Sequence, residues 1–65
     1  MEKIIGENIK RIRLSNNLTQ KEFGKLLGFS ARTVSDWENC NTEPDLTTLK
    51  KIAQVFNMRY EDILD

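Results

Sequence analysis

The chain has no histidine, one cysteine (Cys40), one proline (Pro44) and three glycines in 65 residues. Without His, and with a single thiol, it can assemble neither a disulfide framework, nor a Cys/His zinc cluster, nor a His-based catalytic set. No metal or cofactor is expected. No apolar run approaches the roughly 18 residues of a membrane span, and Met1-Glu2-Lys3 does not open a signal peptide, so no membrane association and a cytoplasmic home are expected. Charge of one sign is missing too. Ten basic and ten acidic residues cancel, and the pI of about 6.2 lies below that of many nucleic-acid-binding domains. The balance is uneven along the chain: residues 1–39 hold Lys3, Lys10, Arg11, Arg13, Lys21, Lys25 and Arg32 against five acids, and residues 40–65 hold three bases against five. The first part is thus +2 and the second −2, a dipole that presents a positive side to phosphates with modest non-specific affinity.

With 38% hydrophobic and 31% charged residues, the chain has the balance of a globular protein. Its length suits one small domain, residues 1–65, and local helix–helix contacts are the economical way to fold it. Hydrophobic spacing predicts five helices. The first runs from about Ile4 to Ser15, with Ile5, Ile9 and Ile12 inward, and ends at Asn16-Asn17, since Asn tolerates the left-handed conformation. Thr19 and Glu22 form a capping box for the second, with Leu18 and Phe23 as its hydrophobic staple. Phe23, Leu26 and Leu27 make its apolar face, and Gly28 stops it. Phe29 can fold back on that last turn. Ser30 caps the third helix, whose Val34 and Trp37 face inward. Cys40 to Pro44 reads as a loop. Asp45 caps the fourth helix, with Leu46, Leu49, Ile52, Ala53 and Phe56 as its stripe, closed by Asn57. The fifth spans about Tyr60 to Leu64. Trp37 and the Phe residues are read as core.

Residues 19–39 therefore describe two short helices joined by a tight turn, with Gly24 allowing close approach: a helix-turn-helix. Over Ile5 to Leu64 the chain resembles the phage Cro and lambda-repressor-like (Xre-type) DNA-binding family. The twenty-residue pattern beginning at Gln20 asks for a small residue fifth, Gly ninth, a branched apolar residue fifteenth and an apolar residue eighteenth; Gly24, Gly28, Val34 and Trp37 stand there. Trp37-Glu38-Asn39, Pro44 and Leu49…Ile52-Ala53 also match. There are departures. Cys40 replaces the usual Gly after Glu-Asn, at a strain of about 1–2 kcal/mol if that position needs positive φ; alternatively Asn39 or Asn41 makes the turn. Gly24 replaces the usual Ala, costing about 1 kcal/mol of helix propensity. Arg59 stands where a Ser or Thr cap is usual.

The resemblance implies an all-α, five-helix fold whose third helix enters the major groove of double-stranded DNA. It places Ala31, Arg32 and Asp36 nearest the base edges. The Arg32 guanidinium suits guanine O6 and N7, for roughly 1–3 kcal/mol of discrimination; the Ala31 methyl suits a thymine methyl, and Asp36 suits cytosine N4. Arg32 and Asp36, four apart, have the alternative of pairing with each other on a solvated surface. Phosphate contacts fall to Gln20 at the second helix's N-terminus and to Ser30, Thr33 and Asn39, with Lys10 and Lys21 as further candidates. Arg13 and Glu38 are implied as a partly buried ion pair between the first and third helices.

One recognition helix covers few base pairs, so the resemblance also implies a homodimer on a two-fold operator. The self-contact candidates are the Cys40–Pro44 loop, Phe56, Met58, Tyr60, Ile63 and Leu64; for Tyr60, Ile63 and Leu64 closing the chain's own core is the alternative. The function implied is a sequence-specific transcriptional regulator of bacterial or phage origin, more often a repressor than an activator. The alternatives are an antitoxin or accessory domain acting mainly through a protein partner, and the N-terminal DNA-targeting domain of a longer regulator. No convergent nucleophile, base or metal set suggests an enzyme.

Overall fold

The computed structural model describes residues 3–64. Within them the chain forms five helices and no strand: α1 (Lys3–Ser15), α2 (Gln20–Leu27), α3 (Ala31–Glu38), α4 (Leu46–Val55) and α5 (Tyr60–Leu64). Each boundary has a local cause. The Thr19 hydroxyl accepts from the Glu22 N–H at 3.0 Å, and the Glu22 carboxylate accepts from the Thr19 N–H at 2.8 Å, completing the capping box. Gly28 closes α2 with φ of 86°, a left-handed turn that costs glycine nothing. Ser30 and Asp45 cap α3 and α4 by accepting from the N–H groups of Thr33 and Thr48. Asn17 (φ 57°) and Asn57 (φ 54°) take the left-handed positions after α1 and α4. At the start of α5, the Asp62 carboxylate reaches back to the Arg59 N–H at 3.3 Å, so this end is tied down without a Ser or Thr cap.

Of the alternatives for the α3–α4 turn, the structure takes the strained one. Cys40 adopts φ of 62°, while Asn39 has φ of −89°.

The core is one cluster from all five helices: Ile5, Ile9 and Ile12 of α1, Phe23 and Leu27 of α2, Val34 and Trp37 of α3, Leu49, Ile52 and Ala53 of α4, and Ile63 of α5. Leu18, Phe56, Met58 and Tyr60 pack against it. Phe23 and Phe56 stack with centroids 5.2 Å apart, joining α2 to the end of α4. Two stripes are narrower than the periodicity suggests. Leu26 and Leu46 are 51% and 52% exposed, because each sits at the edge of an apolar arc already filled by its neighbours. Phe29 also lies outside the core. Its ring is partly exposed and meets Trp37 edge-on, with centroids 5.0 Å apart.

Ile63 corrects one expectation. It is fully buried, so it belongs to the chain's own core and offers nothing to a self-contact surface. Its carbonyl is held by the buried Asn8 side chain, whose Nδ2 donates to it at 2.8 Å, a link between α1 and α5 across 55 residues.

Candidate nucleic-acid interface

The α2–α3 unit begins with a close backbone approach. A Cβ on Gly24 would lie 2.5 Å from the Phe29 carbonyl oxygen and 3.1 Å from that of Ser30. Gly24 therefore lets the turn and the Ser30 cap of α3 pass closer than a Cβ would allow without a shift of the turn, and its low helix propensity is the cost of that close approach. The Gly28 and Phe29 N–H groups both donate to the Gly24 carbonyl, so the turn's direction, and with it the pitch of α3, is set by backbone hydrogen bonds.

Val34 and Trp37 fix the rotation of α3 about its axis, since both are buried. The opposite side is open. Arg32 is exposed, and Ala31, Thr33, Ser35 and Asp36 are half-buried beside it. Among the described residues the ion pairs are Arg13–Glu38 and Arg59–Asp62. The alternative pairing of Arg32 with Asp36 is thus not formed. Asp36 instead has the Asn41 side-chain amide 3.5 Å from its Oδ1, while its carbonyl accepts the Asn41 N–H at 2.9 Å and ties down the following turn. Arg32 is left with an unpaired guanidinium on the free side of α3.

The residues expected at phosphates are distributed around this helix. Ser30 is exposed and its hydroxyl serves as the α3 cap; Thr33 shares a hydroxyl–hydroxyl hydrogen bond with it at 3.1 Å. Asn39, exposed at the far end, donates from Nδ2 to the Ser35 hydroxyl at 3.2 Å. Lys21 is exposed on α2. Lys10 stands apart, in a shallow depression on the outer side of α1 with Glu7, Arg11, Leu14 and Ser15, and shares no residue with the groove that α2 and α3 form.

Gln20 has a partner that spacing does not announce. Glu38 accepts from Arg13 Nε at 2.7 Å and from Arg13 Nη2 at 3.1 Å, a bidentate pair, and from Gln20 Nε2 at 3.1 Å. Arg13 also donates from Nη1 to the Leu18 carbonyl at 2.9 Å. The side chains of Arg13 and Glu38 are 12% and 5% exposed, so this network pins the end of α1, the loop after it, the start of α2 and the end of α3 to one another. A carboxylate only accepts hydrogen bonds, so the Gln20 amide must turn its nitrogen toward Glu38. Its second N–H and its carbonyl remain for a ligand.

A helix-turn-helix family model (HTH_3) matches residues 9–63. The antitoxin PezA of Streptococcus pneumoniae is 38% identical over 61 residues, 94% of this chain, which spans only 39% of that protein's length. The HTH-type transcriptional regulator y4dJ of Sinorhizobium fredii is 31% identical over 64 residues, covering 98% of this chain and 83% of the relative. Among solved structures, the P22 c2 repressor protein in complex with a synthetic operator superposes with a TM-score of 0.82 at 27% identity, over 91% of this chain and 89% of that one. Family match, five-helix architecture and the Gly24–Gly28 turn agree: the chain belongs to the helix-turn-helix family of lambda-repressor-like (Xre-type) domains.

Proposed function

We propose that this chain is a sequence-specific, double-stranded-DNA-binding transcriptional regulator, a repressor that occludes an operator with two similar halves. The observation behind this is the free side of α3: an unpaired Arg32 opposite buried Val34 and Trp37, in a fold shared with a repressor that binds operator DNA. On docking, α3 lies in the major groove, with Arg32 donating to guanine O6 and N7 and Ala31 and Asp36 against neighbouring base edges. Ser30, Thr33, Asn39, Gln20 and Lys21 face the phosphates that flank it, and contacts of this kind fix register without reading sequence. Lys10 is the outlying candidate. Residues 1–65 act as one DNA-binding unit in the cytoplasm, with no catalytic step.

Selection of bound duplexes from a random pool tests this. The unaltered chain recovers a two-fold motif containing guanine, and Arg32→Ala relaxes the guanine preference while leaving the rest of the motif in place. Recovery of no motif at two salt concentrations would refute the reading.

A second reading is favoured by the 38% identity to an antitoxin more than twice this chain's length. Here DNA binding remains but a protein partner is primary, with these residues forming the DNA-targeting part of a longer protein. It predicts weak operator affinity by residues 1–65 alone and a stoichiometric protein partner on purification from the native cell.

A further inference from the structure

We infer that the outer side of α1 is a self-association surface, on which a second copy of this chain lays its own α1 antiparallel to the first. Ile4, Glu7, Arg11 and Leu14 carry the contact, and all four are exposed. The contact itself is independent of DNA; only its consequence on DNA rests on the function proposed above.

These residues are spaced by three, four and three positions, the repeat that lines side chains along one narrow seam of a helix and lets a second helix pack there. The seam is turned away from the rest of the molecule. α1 directs Ile5, Ile9 and Ile12 into the core and brings Gly6 and Arg13 against α3. Ile4 and Leu14 are left 44% and 54% exposed at the two ends of the seam. Between them stand Glu7 and Arg11. They are four apart with the acid first, the order that favours pairing along one helix, yet neither takes part in the ion pairs among the described residues. Both charges are therefore available to a partner. Beside Leu14 the surface sinks into a shallow depression lined by Glu7, Lys10, Arg11, Leu14 and Ser15.

Symmetry identifies the occupant. Ile4 and Leu14 each lie five residues from Ile9, and Glu7 and Arg11 each lie two residues from it. A two-fold axis level with Ile9 sets Ile4 of each copy against Leu14 of the other, at the depression, and Glu7 of each beside Arg11 of the other. Two apolar contacts and two ion pairs form together. A parallel arrangement would instead oppose acid to acid and base to base. Zero net charge adds no overall repulsion between copies. Four residues a side fall well short of the roughly 20–30 of a stable interface, so the contact is weak alone and strengthens where copies are concentrated on DNA. None of the four except Leu14's neighbour Lys10 approaches a residue assigned to DNA, and none belongs to the C-terminal self-contact candidates. One copy can therefore use both surfaces, and two operator-bound pairs are joined through α1.

Charge reversal tests this in sedimentation equilibrium without DNA. The unaltered chain is expected to gain an association step at high micromolar to millimolar concentration. Glu7→Arg alone and Arg11→Glu alone should each weaken that step about tenfold, with unchanged circular dichroism spectra. An equimolar mixture of the two variants should recover it, because every mixed contact again opposes acid to base. The C-terminal surface is the same in all samples and cancels from the comparison. A step that neither reversal weakens overturns the contact, as does a mixture that associates no more tightly than its components. Absence of the step in the unaltered chain also overturns it and leaves the seam to a different partner. The duplex selection described above reports on the proposed function separately, since Glu7 and Arg11 lie outside the residues assigned to DNA.

Discussion

At the scale of the residue, Cys40 and Glu38 bear the largest local consequences. Among the described residues three non-glycine residues have positive φ, and two of them are asparagines, whose short polar side chains tolerate the left-handed region. Cys40, at φ of 62°, lacks that advantage. Cys40→Gly is therefore expected to raise unfolding stability by about 1 kcal/mol, the relief of left-handed strain less some packing lost with the half-buried thiol. That corresponds to roughly 4–8 °C in Tm for a domain of this size; a melt at or below the original temperature would show that the thiol's packing outweighs the strain. Glu38→Ala acts in the opposite direction. It leaves the Arg13 guanidinium largely buried with no carboxylate, at a cost of about 3–5 kcal/mol, a large share of what a small domain possesses. Thermal stability should fall before base preference changes, and an unaltered melting temperature would contradict this account. The pairing was implied by family resemblance, but Gln20 as its third member was not, because residues 18 apart on different helices leave no periodic signature.

At the scale of the element, the caps determine where helices start, and they are the part of the structure most legible in the sequence. Thr19, Ser30 and Asp45 each accept from the N–H three residues on, as their residue types and the apolar runs after them suggest. Asp45 makes α4 sensitive to acid. Hydrogen bonds from Thr48, the side chain first and the backbone N–H second, hold its carboxyl below its ordinary value of 3.8. A lowered folded-state value means the stabilisation is complete above pH 4 or so and disappears as pH falls through the folded value. Acid titration of the unfolding midpoint should therefore show a steeper loss below pH 4 in the unaltered chain than in Asp45→Asn, and parallel curves would argue that the cap contributes no pH dependence. Helix stripes were less legible than caps. Leu26 and Leu46 fit the 3.6-residue period yet stand half in solvent, since the period gives an arc and only the neighbouring helices determine how much of it is covered.

For the whole molecule, the open question of assembly narrows to a smaller surface. With Ile63 inside the core, the remaining candidates for a two-fold contact on adjacent half-sites are the Cys40–Pro44 loop, whose Pro44 is itself buried, and Phe56, Met58, Tyr60 and Leu64 at the C-terminal side. Phe56, Met58 and Tyr60 are half-buried against the chain's own core and Leu64 is 36% exposed. The area left for a partner is modest, so we expect self-association that is weak in solution and reinforced when two copies occupy adjacent half-sites. Sedimentation at micromolar concentration should show a monomer–dimer equilibrium that Tyr60→Ala/Leu64→Ala shifts to monomer. A strict monomer both free and on a two-fold duplex would exclude the dimer.

By itself the sequence determined the number, order and ends of the helices, the turn at Gly28, and the inward rotation of α3, because capping, positive φ and apolar period are local properties written within a few residues. It also placed Arg32 on the free side, as the complement of Val34 and Trp37. The rest was decided only in three dimensions. Gly6 shows this well: an added Cβ would lie 2.5 Å from the Trp37 carbonyl, a requirement set by α3 passing over α1 some thirty positions along the chain. The Glu38 grip on Gln20, the burial of Ile63 and the edge-on contact of Phe29 with Trp37 arose in the same way. Each depends on distances between elements, and those are fixed by how five helices share one small core.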